Sequence, residues 1–95
     1  MSVSVHIPAP LRALAGGAAE LRVDAETVRG LVDALQERHQ GFRERLLDEG
    51  GRLKSYVRVF VNQDDVRALD GESTRLHDGD VVAIVPAIAG GAAPE

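Results

Sequence analysis

The order of patterned segments predicts an α+β domain: a hairpin, one amphipathic helix, a strand, a short edge piece, a last strand and a Gly-Gly tail. Three observations carry that reading. Val3, Val5 and Ile7 alternate with Ser4 and His6, and Val57, Val59 and Val61 alternate with Arg58 and Phe60, which is the period of half-buried strands. Val28, Leu31, Val32 and Leu35 fall at the spacing of one helix face. Val81-Val82-Ala83-Ile84-Val85 is an unbroken apolar run that leads into the tail.

Pro8 and Pro10 close the first strand, because proline cannot donate to a ladder. Gly16-Gly17 marks a turn, and Leu21 and Val23 resume the alternation, so the first two strands read as a hairpin with a long connection. Thr27 is the expected helix N-cap, with Asp24 and Glu26 beside the positive end of the helix dipole. Burying the four apolar side chains of that helix at ~1.5–3 kcal/mol each contributes roughly 6–12 kcal/mol before entropy is charged. Gly30 sits on the opposite side, where it weakens the helix without breaking it. The helix is expected to end near His39–Gly41, followed by a short turn carrying Phe42, Leu46 and Leu47.

Gly50-Gly51 precedes the strand 57–61. Asn62-Gln63-Asp64-Asp65 reads as a turn, Val66-Arg67 as a brief edge strand, and Asp78-Gly79-Asp80 as the turn into the last strand. One helix covers one face of such a sheet. The last strand is apolar at every position, so both of its faces call for cover. Apolar surface that the loops leave bare is expected to mark a partner site. Alternation alone leaves open whether Phe60 belongs to that patch or to the core.

At 95 residues the chain is one domain, and with aromatics at 3% its core must be built from Val, Leu, Ile and Ala. A net charge of -4 with arginines spread along the chain disfavours nucleic acid as a partner. The absence of cysteine excludes disulfides, thiolate metal sites and thiol catalysis. Met1–His6 shows no signal-peptide pattern and no apolar run approaches the ~20 residues of a membrane span, so a cytoplasmic location with no membrane is expected.

Chemistry-bearing side chains are not grouped. His6, His39 and His77 share no ligand spacing, so no metal site is expected. Asp64-Asp65, Asp78 and Asp80 lie on turns, where aspartate serves backbone geometry rather than acid–base work. Gly16-Gly17 lacks a phosphate-binding pattern. Lys54 reads as an ordinary surface lysine, with an acceptor role in conjugation as the sharper alternative. The chain is therefore expected to be a substrate of other enzymes rather than an enzyme. Its working group is its own C-terminus at Gly91: a strand running into glycines, which lack Cβ, offers a slim backbone and a carboxylate to a narrow site.

Val57-Arg58-Val59-Phe60-Val61-Asn62 with Asp65-Val66-Arg67, and Leu76-His77-Asp78-Gly79-Asp80 leading through the apolar strand to Pro86-Ala87-Ile88-Ala89-Gly90-Gly91, carry a resemblance. With Ile7-Pro8, Leu11-Arg12 and Gly16-Gly17 they resemble the MoaD/ThiS-type sulfur carriers, most of all the actinobacterial CysO-type carriers of cysteine biosynthesis. The resemblance implies a ubiquitin-like β-grasp fold, a mixed sheet with one main helix packed on one face and a flexible C-terminal tail. It divides the chain into a domain at 1–86, a functional tail at 87–91 and an extension at 92–95 that is removed in maturation.

What it implies about chemistry lies at Gly91. An E1-like enzyme of the MoeB/ThiF/MoeZ kind adenylates the Gly91 carboxylate with ATP, and a sulfur donor converts the adenylate to a thiocarboxylate for a sulfur-accepting synthase. The carrier itself binds no cofactor. Ala87, Ile88, Ala89 and Gly90 thread the activating site, and Phe60 with Ile88 contacts the activating enzyme. Most carriers of this kind end at the second glycine, whereas Ala92-Ala93-Pro94-Glu95 follows here. The implied step is cleavage after Gly91 by a JAMM-type peptidase. A ubiquitin-like modifier, or a docking module without sulfur transfer, is the alternative. Cysteine, molybdopterin, a thiazole or a thiosugar remains open as the final product.

Overall fold

The computed structural model describes residues 2–86; the expected functional tail, Ala87 to Gly91, and the expected extension at 92–95 lie outside them. Five strands form one mixed sheet: β1 (Ser2–His6), β2 (Glu20–Asp24), β3 (Val57–Val61), β4 (Asp64–Asp65) and β5 (Val81–Pro86), in the order β2-β1-β5-β3-β4. β5 runs parallel to β1 and antiparallel to β3, while β1–β2 and β3–β4 are antiparallel hairpins. Strand β5 is thus central, although it is the last of the described strands.

Helix α1 (Val28–Arg38) packs on one face of the sheet, burying Val28, Leu31, Val32 and Leu35 as their spacing requires. Thr27 caps it, its Oγ1 accepting the N–H of Gly30 at 3.1 Å. The entry is pinned further by Val28 N–H donating to Thr74 C=O at 3.1 Å and Leu76 N–H donating to Glu26 C=O at 2.9 Å. The short helix α2 (Phe42–Leu46) adds Phe42 and Leu46 to the same core. The sheet contributes Val3, Val5, Val23, Val57, Val59, Val61, Val82 and Ile84.

Three segments depart from the sequence-based expectation. Residues Ala9–Ala15 form a 3-10 helix inside the long hairpin connection, with Leu11 and Ala15 buried beneath it and the chain released at Gly16 (φ 67°). The edge strand comes earlier than expected, at Asp64–Asp65; Val66 turns into the core instead, fully buried, and the backbone at Val66–Ala68 coils into a 3-10 turn with Asp65 accepting the N–H of Arg67. The last strand does not have cover on both faces. Val82 and Ile84 point into the core, but Val81 and Val85 remain 38% and 42% exposed.

Candidate functional site

The face of the sheet opposite α1 is where Phe60 lies. Its neighbours Val59 and Val61 are buried in the core, while Phe60 itself is half-buried on the open side. The ladder then fixes what surrounds it. Phe60 stands opposite Ala83 on β5 and Asp65 on β4, and Ala83 in turn stands opposite His6, which stands opposite Glu20. Val85 pairs with Arg58, and Val81 with Ser4. The open face therefore has an apolar centre of Phe60, Val81, Ala83 and Val85, flanked by Arg58 and His6. The unbroken apolar run of β5 is explained by this patch rather than by a second core, the kind of surface that marks a protein contact.

The start of β5 is held by a polar clamp. Asn62 occupies the left-handed region (φ 58°), its Nδ2 donates to Asp80 Oδ1 at 3.2 Å, and its Oδ1 accepts the N–H of Val81 at 3.1 Å. Asp80 Oδ2 also accepts the backbone N–H of His77 at 2.9 Å, with the imidazole Nδ1 3.7 Å away. These contacts hold the Asp80 carboxyl below its ordinary value, the His77 N–H foremost and the Asn62 amide and the His77 charge in support, against the opposing effect of burial. Asp80 is thus a structural group of the turn. Asp78 does similar work, accepting the N–H of Ser2 at 3.0 Å.

The histidines are dispersed: His6 on the open sheet face, His39 edge-on to Phe42 with ring centroids 6.4 Å apart, and His77 at the clamp. Among the described residues, no group of three or more His, Asp or Glu side chains is placed to hold a metal ion. Lys54 lies 5.8 Å from the centroid of the Tyr56 ring. Beyond this clamp and the open face, the sheet delivers one further thing: β5 ends at Pro86, directly before the tail.

A mixed five-stranded sheet with this order, covered by one helix and ending at a Gly-Gly tail, matches known proteins closely. The profile of the ThiS family covers residues 5–91. The chain belongs to the ThiS family. It is 39% identical to the sulfur carrier protein CysO of Mycobacterium tuberculosis (strain ATCC 25618 / H37Rv) over 93 residues, 96% of this chain and 100% of that protein. It is also 39% identical to the small archaeal modifier protein 3 of Haloferax volcanii over 71 residues, 74% of this chain and 76% of that one. Among solved structures, a chain of the Amycolatopsis orientalis BexX/CysO complex superposes with a TM-score of 0.88 at 38% identity, covering 94% of this chain and 99% of its own. The ubiquitin-like β-grasp architecture expected of a ThiS-family chain is the one observed. Among the described residues, no helix is long and apolar enough to cross a membrane.

Proposed function

We propose that this chain is a sulfur carrier that works in the cytoplasm and whose working group is the carboxylate of Gly91, generated when Ala92–Glu95 is removed. The extent of the family match carries this reading: it runs from residue 5 to residue 91 and stops at the second glycine, before the last four residues of the chain. A JAMM-type peptidase hydrolyses the amide between Gly91 and Ala92, releasing the Gly91 carboxylate. An E1-like enzyme then lets that carboxylate attack the α-phosphorus of ATP, and pyrophosphate leaves. A carboxylate is a poor electrophile, whereas the resulting acyl-adenylate has a good leaving group. Hydrosulfide attacks the acyl carbon, the bond to AMP breaks, and the thiocarboxylate forms with loss of a proton. That thiocarboxylate is a soft nucleophile for a sulfur-accepting enzyme. The similarity to a chain of the BexX/CysO complex supports a protein partner at this last step.

The open sheet face fits the activating enzyme. Phe60 at its centre, with Val81, Ala83 and Val85, offers an apolar contact beside the strand end from which the tail departs. Ala87, Ile88, Ala89 and Gly90 then span the gap between that contact and the reaction centre.

The test is the intact mass of the chain after incubation with host extract, ATP and sulfide. Loss of Ala92–Glu95 with exchange of one oxygen for sulfur is the expected product. Persistence of the full-length mass refutes the carrier reading. The similarity to the small archaeal modifier protein 3 favours one second reading, that the Gly91 carboxylate is joined to a lysine amine of a target. An isopeptide-linked adduct in place of the thiocarboxylate would select it.

A further inference from the structure

Carboxylates and cations both lie along β5, Arg22 opposite Ser4 among them at its start. At the strand's start lie carboxylates: Asp24 opposite Ser2, Asp64 opposite Val61, and Asp78 and Asp80 in the preceding turn. At its other end lie cations. Arg58 stands opposite Val85, Lys54 packs by Tyr56, and Arg67 Nη2 donates to the carbonyls of Lys54 and Ser55 at 2.9 and 3.2 Å. Beside Tyr56 and the 3-10 helix at 9–15 opens a groove of about 490 Å³, lined by Pro10, Leu11, Leu46, Tyr56, Val57 and Pro86 together with the exposed Arg45. Tyr56 is 51% exposed there.

The groove has no carboxylate among its lining residues. The ion pairs found among the described residues, Arg43–Asp33 and His77–Asp80, involve none of Arg45, Lys54, Arg58 or Arg67. The nearby Glu72 is engaged elsewhere, accepting the N–H of Leu53 at 2.8 Å, and Glu20 lies two strands away on β2. In a chain of net charge -4, a groove whose one charged lining residue is Arg45, with Lys54 beside its Tyr56, is locally suited to negative charge. Its position is equally specific, because Pro86 forms one wall and is the last residue before the tail.

We propose that the groove docks an acidic segment with one apolar anchor residue, presented by the enzyme that takes the tail. The anchor seats against Leu46, Tyr56 and Pro86, and the flanking carboxylates meet Arg45 and Lys54. The volume admits a few side chains, and the exposed Arg45 with the half-buried Lys54 steers the encounter as well as fixing its register. The identity of the partner rests on the carrier reading above; the chemistry of the groove does not.

The experiment uses the full 95-residue chain and two short peptides, acetyl-Asp-Glu-Leu-Asp-Glu-amide and acetyl-Lys-Lys-Leu-Lys-Lys-amide, followed by amide-proton NMR. The acidic peptide should shift the signals of Leu11, Arg45, Tyr56 and Val57 in a saturable way, and the basic peptide should not. The double variant Arg45→Glu, Lys54→Glu should weaken that binding at least tenfold, and Tyr56→Ala should weaken it with the charges intact. Both replace exposed or half-buried side chains, and the spectrum itself reports whether the fold persists. Equal shifts from the basic peptide, shifts confined to other surfaces, or full reproduction by inorganic phosphate would each overturn the proposal. Binding seen only after removal of Ala92–Glu95 would assign the groove to this chain's own C-terminal segment and overturn it too. None of these readings depends on whether Gly91 ever carries sulfur.

Discussion

Replacing Asn62 dismantles the clamp at the start of β5, and the structure fixes both the size and the pH dependence of the loss. Asn62→Ala removes the bonds to Asp80 Oδ1 and from Val81 N–H, both of them exposed. At the low end of ~0.5–1.5 kcal/mol each, they contribute about 1 kcal/mol together. Alanine must then hold the φ of 58° that asparagine tolerates, which costs roughly another 1 kcal/mol. The sum is about 2 kcal/mol, or roughly 10 °C in Tm for a domain of this size. Asn62→Asp keeps the backbone tolerance and the acceptor for Val81, but sets a second carboxylate against Asp80. Unit charges 4 Å apart interact by about 1 kcal/mol in water and about 4 kcal/mol near a protein surface, which brackets the repulsion.

The two chains then respond to acid in opposite directions. In the natural chain the folded Asp80 value is depressed, so its contribution is fully present above the unfolded value of about 3.9 and is lost as pH falls through the folded value. In the Asn62→Asp chain the facing carboxylates raise one of the two values, so stability is gained as pH falls from 7 towards about 5. Urea unfolding followed by circular dichroism at both pH values measures this. An Asn62→Ala chain within about 0.5 kcal/mol of the natural one would refute the clamp, since that is the range of an inert surface change. So would an Asn62→Asp chain that gains no stability between pH 7 and 5 relative to the natural one.

Thr27→Ala should cost about 1 kcal/mol by removing the cap on the Gly30 N–H, read as a lower urea midpoint with an unchanged slope. Phe60→Ala should lower kcat/KM for ATP–pyrophosphate exchange by the activating enzyme about tenfold, the equivalent of ~1.4 kcal/mol, while the urea midpoint reports any separate loss from the half-buried ring. In a chain ending at residue 91, Gly91→Val should abolish that exchange without moving Tm, because a Cβ is added where the slim backbone must pass. Normal exchange by the valine chain would remove the argument for a narrow channel.

Much of the fold is legible in the sequence because a few residues each report on one structural choice. The alternation of Val57, Val59 and Val61 names a core face, and Thr27 ahead of Val28, Leu31, Val32 and Leu35 gives both the start of α1 and its buried side. The 3-10 helix at 9–15 is hidden because Pro8 and Pro10 signal the end of a strand equally well with or without a helix after them. The edge strand is displaced because a lone valine carries no face label: Val66 fits an edge strand or the core, and only the hairpin closing at Asn62-Gln63 decides. The candidate contact surface is only half legible. The apolar run 81–85 is visible in sequence, but a buried strand and a sticky one read alike until the partners of Val81 and Val85 are known.

The place of β5 in the sheet also sets the order in which the protein becomes usable. Without it, β1–β2 and β3–β4 are two separate hairpins, and an isolated hairpin is marginal in water. The strand that joins them is the last made of the described strands and the one that precedes the tail. A chain interrupted before residue 81 therefore has neither a closed sheet nor the Gly-Gly segment, and a finished tail follows a strand that has completed the sheet. The architecture couples the presence of the tail to a completed sheet with no separate inspection step.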